Sequence, residues 1–259
     1  MNRIVSVSIA LATLCAAGCA SQNPNTKRDP RDPWERVNRV SYNVTDKVDR
    51  AVLKPTAKAY RAVTPNFVET GVSNFFENIS YPRVFVNDLL QAKFNSAMHD
   101  TGRFLLNTTI GVGGLFDPAT SAGLQKNDED FGQTMGKWGM PSGPYFFIPL
   151  MGPSTVRDTF GRLPDQFTSP LRSRYIDNSS VRYGLLGLNL INSRAQLLDA
   201  EKALDGVFDR YALLRNVYLQ QREYKVRDGN VPEDNSLEEF PDEPEGDAAT
   251  KDATPKKKL

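Results

Sequence analysis

Read by the placing of its apolar residues, the chain is helical. Between Trp34 and Leu53, Val37, Val40, Val44, Val48 and Val52 recur at spacings of three and four, the period of one helix face. Pro33 stands where a first-turn proline fits. Thr64-Pro65 reads as an N-cap followed by a first-turn proline, opening a helix through Val68, Val72, Phe75, Phe76 and Ile79. Further helices are expected from about Pro82 to Leu90, from Ser96 to Asn107, and along a broad stripe from Leu185 to Leu198. Leu204, Val207, Phe208, Tyr211, Leu214 and Tyr218 mark another. Pro55, Pro65 and Pro82 each interrupt the pattern, so the helices are predicted to be short. Strict alternation over a strand's length is hard to find, and no internal repeat is evident. The expected core, residues 34–226, is all-α, with long loops between the helices.

Two stretches do not fit a small helical bundle: FLLNTTIGVGGLFDPATSAGL at 104–124 and GPYFFIPLMGPS at 143–154. Both mix large apolar side chains with glycine and proline. They cannot propagate a helix, yet they carry more apolar surface than a solvated loop tolerates. They either fold back as buried loops, or they sit in lipid or line an apolar passage. Irregular backbone at membrane depth needs protein or water to satisfy its hydrogen bonds. On the second reading, Leu115, Phe116, Phe146, Phe147 and Ile148 face lipid or channel. Gly111, Gly113, Gly114 and Gly152 then provide tight turns or close backbone approach.

The N-terminus favours the second reading. The only two cysteines, Cys15 and Cys19, lie in LCAAGCAS. A C-x3-C pair with one distant histidine, His99, cannot complete a tetrahedral metal site. A disulfide across so short a loop closes almost nothing. The flanks indicate processing: Arg3, an apolar run from Ile4 to Leu14, then Ala16, Ala17 and Gly18 before Cys19. The arrangement resembles a bacterial lipobox, with residues 1–18 removed and Cys19 carrying the lipid. The resemblance implies outer-membrane export, because Ala20 and Ser21, not Asp, follow the cysteine. Residues 19–33 read as a polar, proline-rich tether, and residues 227–259 as an acidic, disordered tail.

The 259-residue chain has a formal net charge of +1, which gives no general drive toward nucleic acid. Enzyme signatures are missing. No G-x-S-x-G or H-E-x-x-H is present, GVGGLF lacks the Gly-Lys-Ser/Thr ending of a phosphate loop, and His99 reads as a polar helix residue. The run Asp128, Glu129 and Asp130 reads as a solvated or helix-capping cluster, and lone aspartates such as Asp158 and Asp165 carry no catalytic argument. Arg36, Arg39, Asp46 and Arg50 read as a salt-bridged scaffold. No cofactor, metal or catalytic residue is expected.

DPWERVNRVSYNVTDKVDRAVLKPTAKAYRAVTP, GVSNFFENISYPRVFVNDLLQAK, RFLLNTTIGVGGLFDPA and EDFGQTMGKWGMPSGPYFFIPLMGPSTVRD follow in order from about Asp32 to Asp165. With a weaker echo at 193–205, they resemble the MlaA (VacJ) lipoproteins. The resemblance implies a helical ring in the inner leaflet of the outer membrane, with a central amphipathic channel. It implies a trimeric porin as one partner and a soluble periplasmic lipid carrier as another. The expected function is removal of misplaced phospholipids from the outer leaflet, without catalysis. The competing expectation is a structural lipoprotein that braces envelope components without moving lipid.

Overall fold

The computed structural model describes residues 29–170, 176–202, 204 and 206–230. Cys19, the signal segment and residues 231–259 lie outside the described residues. The helices are α1 (Glu35–Val48), α2 (Lys54–Val63), α3 (Asn66–Leu90), α4 (Phe94–Thr109), α5 (Pro118–Ser121), α6 (Phe131–Lys137), α7 (Val156–Thr168), α8 (Ser179–Lys202) and α9 (Arg210–Val226). One hairpin joins them, β1 (Tyr145–Ile148) with β2 (Gly152–Thr155). It is antiparallel and pairs Tyr145 with Thr155 and Ile148 with Gly152.

Prolines are absorbed more often than expected. Asp49–Leu53 form a π-helical turn that carries α1 into α2 without a break. Pro55 sits in the first turn of α2. Its ring meets the carbonyl four residues back, and the wider π turn, which includes Ala51, relieves that clash. Pro82 does not separate two helices; it lies inside the 25-residue α3. Pro65 precedes the first residue of α3, with extended ψ of 147°, so Thr64 closes α2 and does not cap α3. In the terminal stripe, Leu204, Val207 and Phe208 precede α9, whose side-chain cap is Asp209 accepting from Ala212 N–H.

The second irregular stretch is the hairpin, which the absence of alternation did not predict. Asn38 of α1 stands beside β1 like a short third strand: Phe147 N–H donates to its Oδ1 at 2.9 Å, and its Nδ2 donates to the Tyr145 carbonyl at 3.3 Å. The same Nδ2 reaches Asp32 Oδ1 at 2.7 Å. Asp32 is buried and also accepts from Tyr211 and, at 3.2 Å, from Arg215. Residues 29–33 are thus built into the fold and are not the end of a free tether. At the other end Asp228 pairs with Lys93 and Lys137, so the fold extends past the expected boundary at 226.

Packing follows a closed circuit. The α1 helix lies on β1, the hairpin on α7 and α9, α6 on α7 and α9, α3 on α4, α6, α7 and α8, and α8 on α2, which continues from α1. The ring-like, helical architecture therefore has a middle. Its interior is polar to an unusual degree. Among the described residues, buried polar and charged side chains outnumber buried hydrophobic ones. Meanwhile Val37, Val40, Val44 and Val52 of the α1–α2 stripe are exposed, as are Phe67, Phe160, Phe167 and Leu190. Apolar surface left outside needs something other than water to cover it.

Candidate functional site

The middle of the circuit is a polar cavity of about 350 Å³. Its wall takes Ser80 and Arg83 from α3, Asp158, Arg162 and Asp165 from α7, Asn189 from α8, and Tyr218 and Arg222 from α9, with Asp130 just before α6. Two glycines bring these elements together. A Cβ on Gly161 would lie 2.5 Å from Gly132 N, and a Cβ on Gly132 only 2.7 Å from Asp158 Oδ1. Only the bare backbone lets α6 and α7 approach so closely.

Arg222 organises the charge. Its Nη1 donates to Asp130 Oδ2 at 2.6 Å, and its Nη2 to Asp130 Oδ1 at 2.9 Å and Asp158 Oδ1 at 2.7 Å. Tyr218 donates its hydroxyl to Asp158 Oδ2 at 2.7 Å. Burial alone would raise the Asp130 carboxyl, but the Arg222 hydrogen bonds and charge outweigh it and hold it well below the usual range. Asp158 is lowered by the same balance, chiefly through the Arg222 charge. Asp165 goes the other way: burial raises it, despite hydrogen bonds from Phe131 N–H and Asn87. Burial also pushes the Tyr218 hydroxyl up, with the Asp158 charge adding to it. On its other side Arg222 lines a larger cleft of about 880 Å³, together with Arg31, Arg157, Gln220, Glu223 and Arg227. Arg222 thus lines both spaces.

The first apolar stretch forms the end of α4 and the loop after it. Its base is polar: Arg103 grips Asp117 at 2.9 and 2.8 Å, and Asn107 Nδ2 donates to Asp117 Oδ1 at 3.0 Å. Its outer part is apolar and exposed. Leu115 is 42% exposed and Phe116 63%, and Leu105, Ile110 and Val112 are exposed with them. A Cβ on Gly111 would lie 2.4 Å from the Asn107 and Phe116 carbonyl oxygens, and one on Gly114 only 2.5 Å from Asn78 Cβ. Gly113 has φ +70° in open space. Val112, a β-branched residue, is held at φ +53°. The hairpin tip repeats the theme, with Leu150 exposed at φ +63° and Gly152 at φ +87°. A bulky apolar residue in left-handed backbone is strained, and here that strain accompanies apolar exposure.

Within the hairpin the expected group of three divides. Phe146 and Ile148 are half-buried, Phe146 edge-on to Trp34 at 6.5 Å. Phe147 belongs to the core, only 5% exposed and set edge-on to Tyr42 at 5.7 Å. It therefore faces neither lipid nor channel, because alternation along β1 turns Tyr145 and Phe147 inward together.

Sequence reasoning did not find the cavity. The acidic run divides: Asp128 is exposed, Asp130 half-buried and Glu129 buried. Asp130 does cap α6 through Gln133 N–H, while Glu129 is buried against Lys93 and Gln91, and Asp128 pairs with Arg83 and Lys225. Arg39 and Arg50 are salt-bridged, to Glu35 and Asp209 and to Asp46 respectively.

The MlaA lipoprotein family model matches residues 30–225. The intermembrane phospholipid transport system lipoprotein MlaA of Escherichia coli (strain K12) is 35% identical over 233 residues, covering 88% of this chain and 91% of its own. That of Haemophilus influenzae is 29% identical over 242 residues, 90% of this chain and 94% of its own. An uncharacterized protein of Rickettsia bellii is 32% identical over 215 residues, 80% of this chain and 81% of its own. A solved structure, described as the structural basis for maintenance of bacterial outer membrane lipid asymmetry, superposes with a TM-score of 0.68. It shares 33% identity, covering 77% of this chain and all of its own.

Proposed function

The chain belongs to the MlaA lipoprotein family, and from that premise we propose that it removes misplaced phospholipids from the outer leaflet of the outer membrane. It passes them toward a soluble periplasmic carrier and so maintains lipid asymmetry. The observation that carries this reading is the polar cavity inside a helical circuit whose outer faces bear large apolar side chains. Moving a phospholipid through water exposes its acyl chains, at about 0.8 kcal/mol for each CH₂. A ring seated in one leaflet lowers that cost by wetting the headgroup within while its rim stays in hydrocarbon.

No described helix is long and apolar enough to cross a membrane. Embedding in one leaflet therefore rests on Leu115, Phe116, Leu150 and the outward valines, with lipid on Cys19 as the permanent anchor on the periplasmic side. A trimeric porin is the proposed membrane partner. The protein acts by transfer, not catalysis.

The test is a deletion strain complemented with this chain. Aminophospholipids exposed on intact cells are labelled chemically. Exposure rises on deletion and returns to the parental level with the wild-type chain. Unchanged labelling on deletion would point to a structural brace, and release of lysophospholipid or fatty acid by the purified protein to an enzyme.

A further inference from the structure

Three arginines line the central cavity, and two are committed. Arg222 is bound to Asp130 and Asp158, and Arg83 to Asp128 at 2.9 Å. Arg162 differs. It is half-buried, it forms no ion pair among the described residues, and its one hydrogen bond is a long one, Nη2 to the Pro153 carbonyl at 3.4 Å. A guanidinium has five N–H donors, and removing it from water without an anion is costly. Nearby donors are also unused. The Asn189 side-chain N–H₂ makes no hydrogen bond among the described residues, since only its Oδ1 is engaged, by Ser193. Ser169 lines the same wall.

We propose that Arg162, with Asn189 beside it in the wall, is the recognition site for the phosphate of a phospholipid headgroup held in the central cavity. The proposal rests on the transport reading and names the group within that site that selects the cargo. The volume lies at the lower end of ligand pockets, roughly 300–1,000 Å³, which suits a headgroup and leaves the acyl chains elsewhere. Charge in the wall narrows the class. Asp130 and Asp158 are taken up by Arg222, but Asp165 lines the same space with no ion pair among the described residues, so a dianionic phosphate monoester meets an uncompensated carboxyl group. A phosphodiester carries one negative charge, and an ammonium attached to it is favoured by that carboxyl group. The ligand is therefore a zwitterionic phosphodiester of the phosphoethanolamine class. Arg162 supplies the planar, two-point grip that such an anion accepts.

The experiment uses the full mature chain purified in mild detergent, as wild type, Arg162→Gln and Arg162→Lys. The probes are dihexanoyl phosphatidylethanolamine, inorganic phosphate and dihexanoylglycerol, with binding measured by calorimetry. The short lipid is expected to bind the wild type and to lose at least about tenfold in affinity in Arg162→Gln, the size of one charged hydrogen bond. Arg162→Lys keeps the charge and loses the fork, so its loss is smaller. Dihexanoylglycerol binding is expected to be equal in all three. Equal affinity of the lipid for wild type and Arg162→Gln overturns the proposal; if the Gln variant does not fold, equal affinity for wild type and Lys does so. Inorganic phosphate binding as tightly as the lipid overturns it as well, because the site then takes free phosphate. The complementation assay separates the two levels. If the wild-type chain fails to restore asymmetry, the transport reading falls; if it restores asymmetry while Arg162→Gln binds lipid normally, only the headgroup site falls.

Discussion

Arg222 holds Asp130 at two points, 2.6 and 2.9 Å, across ninety-two residues of sequence. That one contact ties α9 to the start of α6, and the bond to Asp158 ties both to α7. Arg222→Ala leaves the half-buried Asp130 without its cation and the buried Asp158 with only Arg157, at 3.4 Å. The expected loss is about 3–5 kcal/mol, the range for breaking one side of a buried pair. Arg222→Lys keeps the charge but not the fork and loses less. Thermal unfolding of the detergent-purified variants measures the order, wild type above Lys above Ala; an Ala variant as stable as wild type would show that the contact contributes no net stability.

Asp88 of α3 and Asp100 of α4 are both fully buried, and Asn127 Nδ2 donates to each at 3.1 Å. Asp88 Oδ2 and Asp100 Oδ1 have no other partner. Burial, then the hydrogen bond and charge of Asp100, push the Asp88 carboxyl up to about 8; Glu129 adds to this and Lys93 opposes it. At neutral pH Asp88 keeps its proton and shares it with Asp100. Because the folded form holds that proton more tightly than the unfolded chain, the stability it contributes is fully present below pH about 4 and is lost as pH rises through about 8. Asp88→Asn imitates the protonated acid. Its melting temperature is expected to match that of wild type below pH about 4 and to exceed it increasingly above that, by several degrees at pH 8. Parallel pH profiles of the two proteins would sink the shared-proton account.

How far the sequence foretold this structure depended on the reach of each pattern. Helices showed through their three-and-four spacing, since that signal lies within a few turns. The lengths of α3 and the α1–α2 rod did not, because a proline penalty counted locally ignores the π turn and the packing that absorb it. The hairpin escaped because two four-residue strands, joined through Pro149, Leu150 and Met151, are too short to display alternation. The cavity was illegible for a different reason. Asp130, Asp158, Arg162 and Arg222 become neighbours only when the circuit closes, and each alone resembles a solvated charge. The apolar loops were legible as anomalies, but not which phenylalanine faces outward.

Gly113 and Gly114 separate two kinds of glycine requirement. Both have positive φ, +70° and +91°. At Gly113 an added Cβ meets nothing, so Gly113→Ala costs only the left-handed backbone, about 1 kcal/mol. At Gly114 the Cβ would also strike Asn78 at 2.5 Å, and Asn78 Nδ2 donates to Thr108 at 2.9 Å. Gly114→Ala therefore displaces α3 from the loop and is expected to cost about 2–3 kcal/mol in total. Denaturant titration of the pair compares them directly; equal losses would mean that the loop yields freely at Asn78.

Phe116 and Phe147 test which aromatic side chains meet the membrane. Phe147 packs on Tyr42 in the core, so Phe147→Ala leaves a cavity and costs about 3–5 kcal/mol of stability. Phe116 is 63% exposed, and Phe116→Asp is expected to leave the melting temperature in detergent within a degree or two of wild type. Its effect belongs to the bilayer. Measured on the Cys19→Ala background, where no lipid anchor masks it, vesicle partitioning should fall by about 1.5–3 kcal/mol, the transfer energy of one large apolar side chain. Partitioning that is unchanged in Phe116→Asp would place the loop away from hydrocarbon and leave the outward apolar residues of α1 and the Leu150 tip as the embedded face.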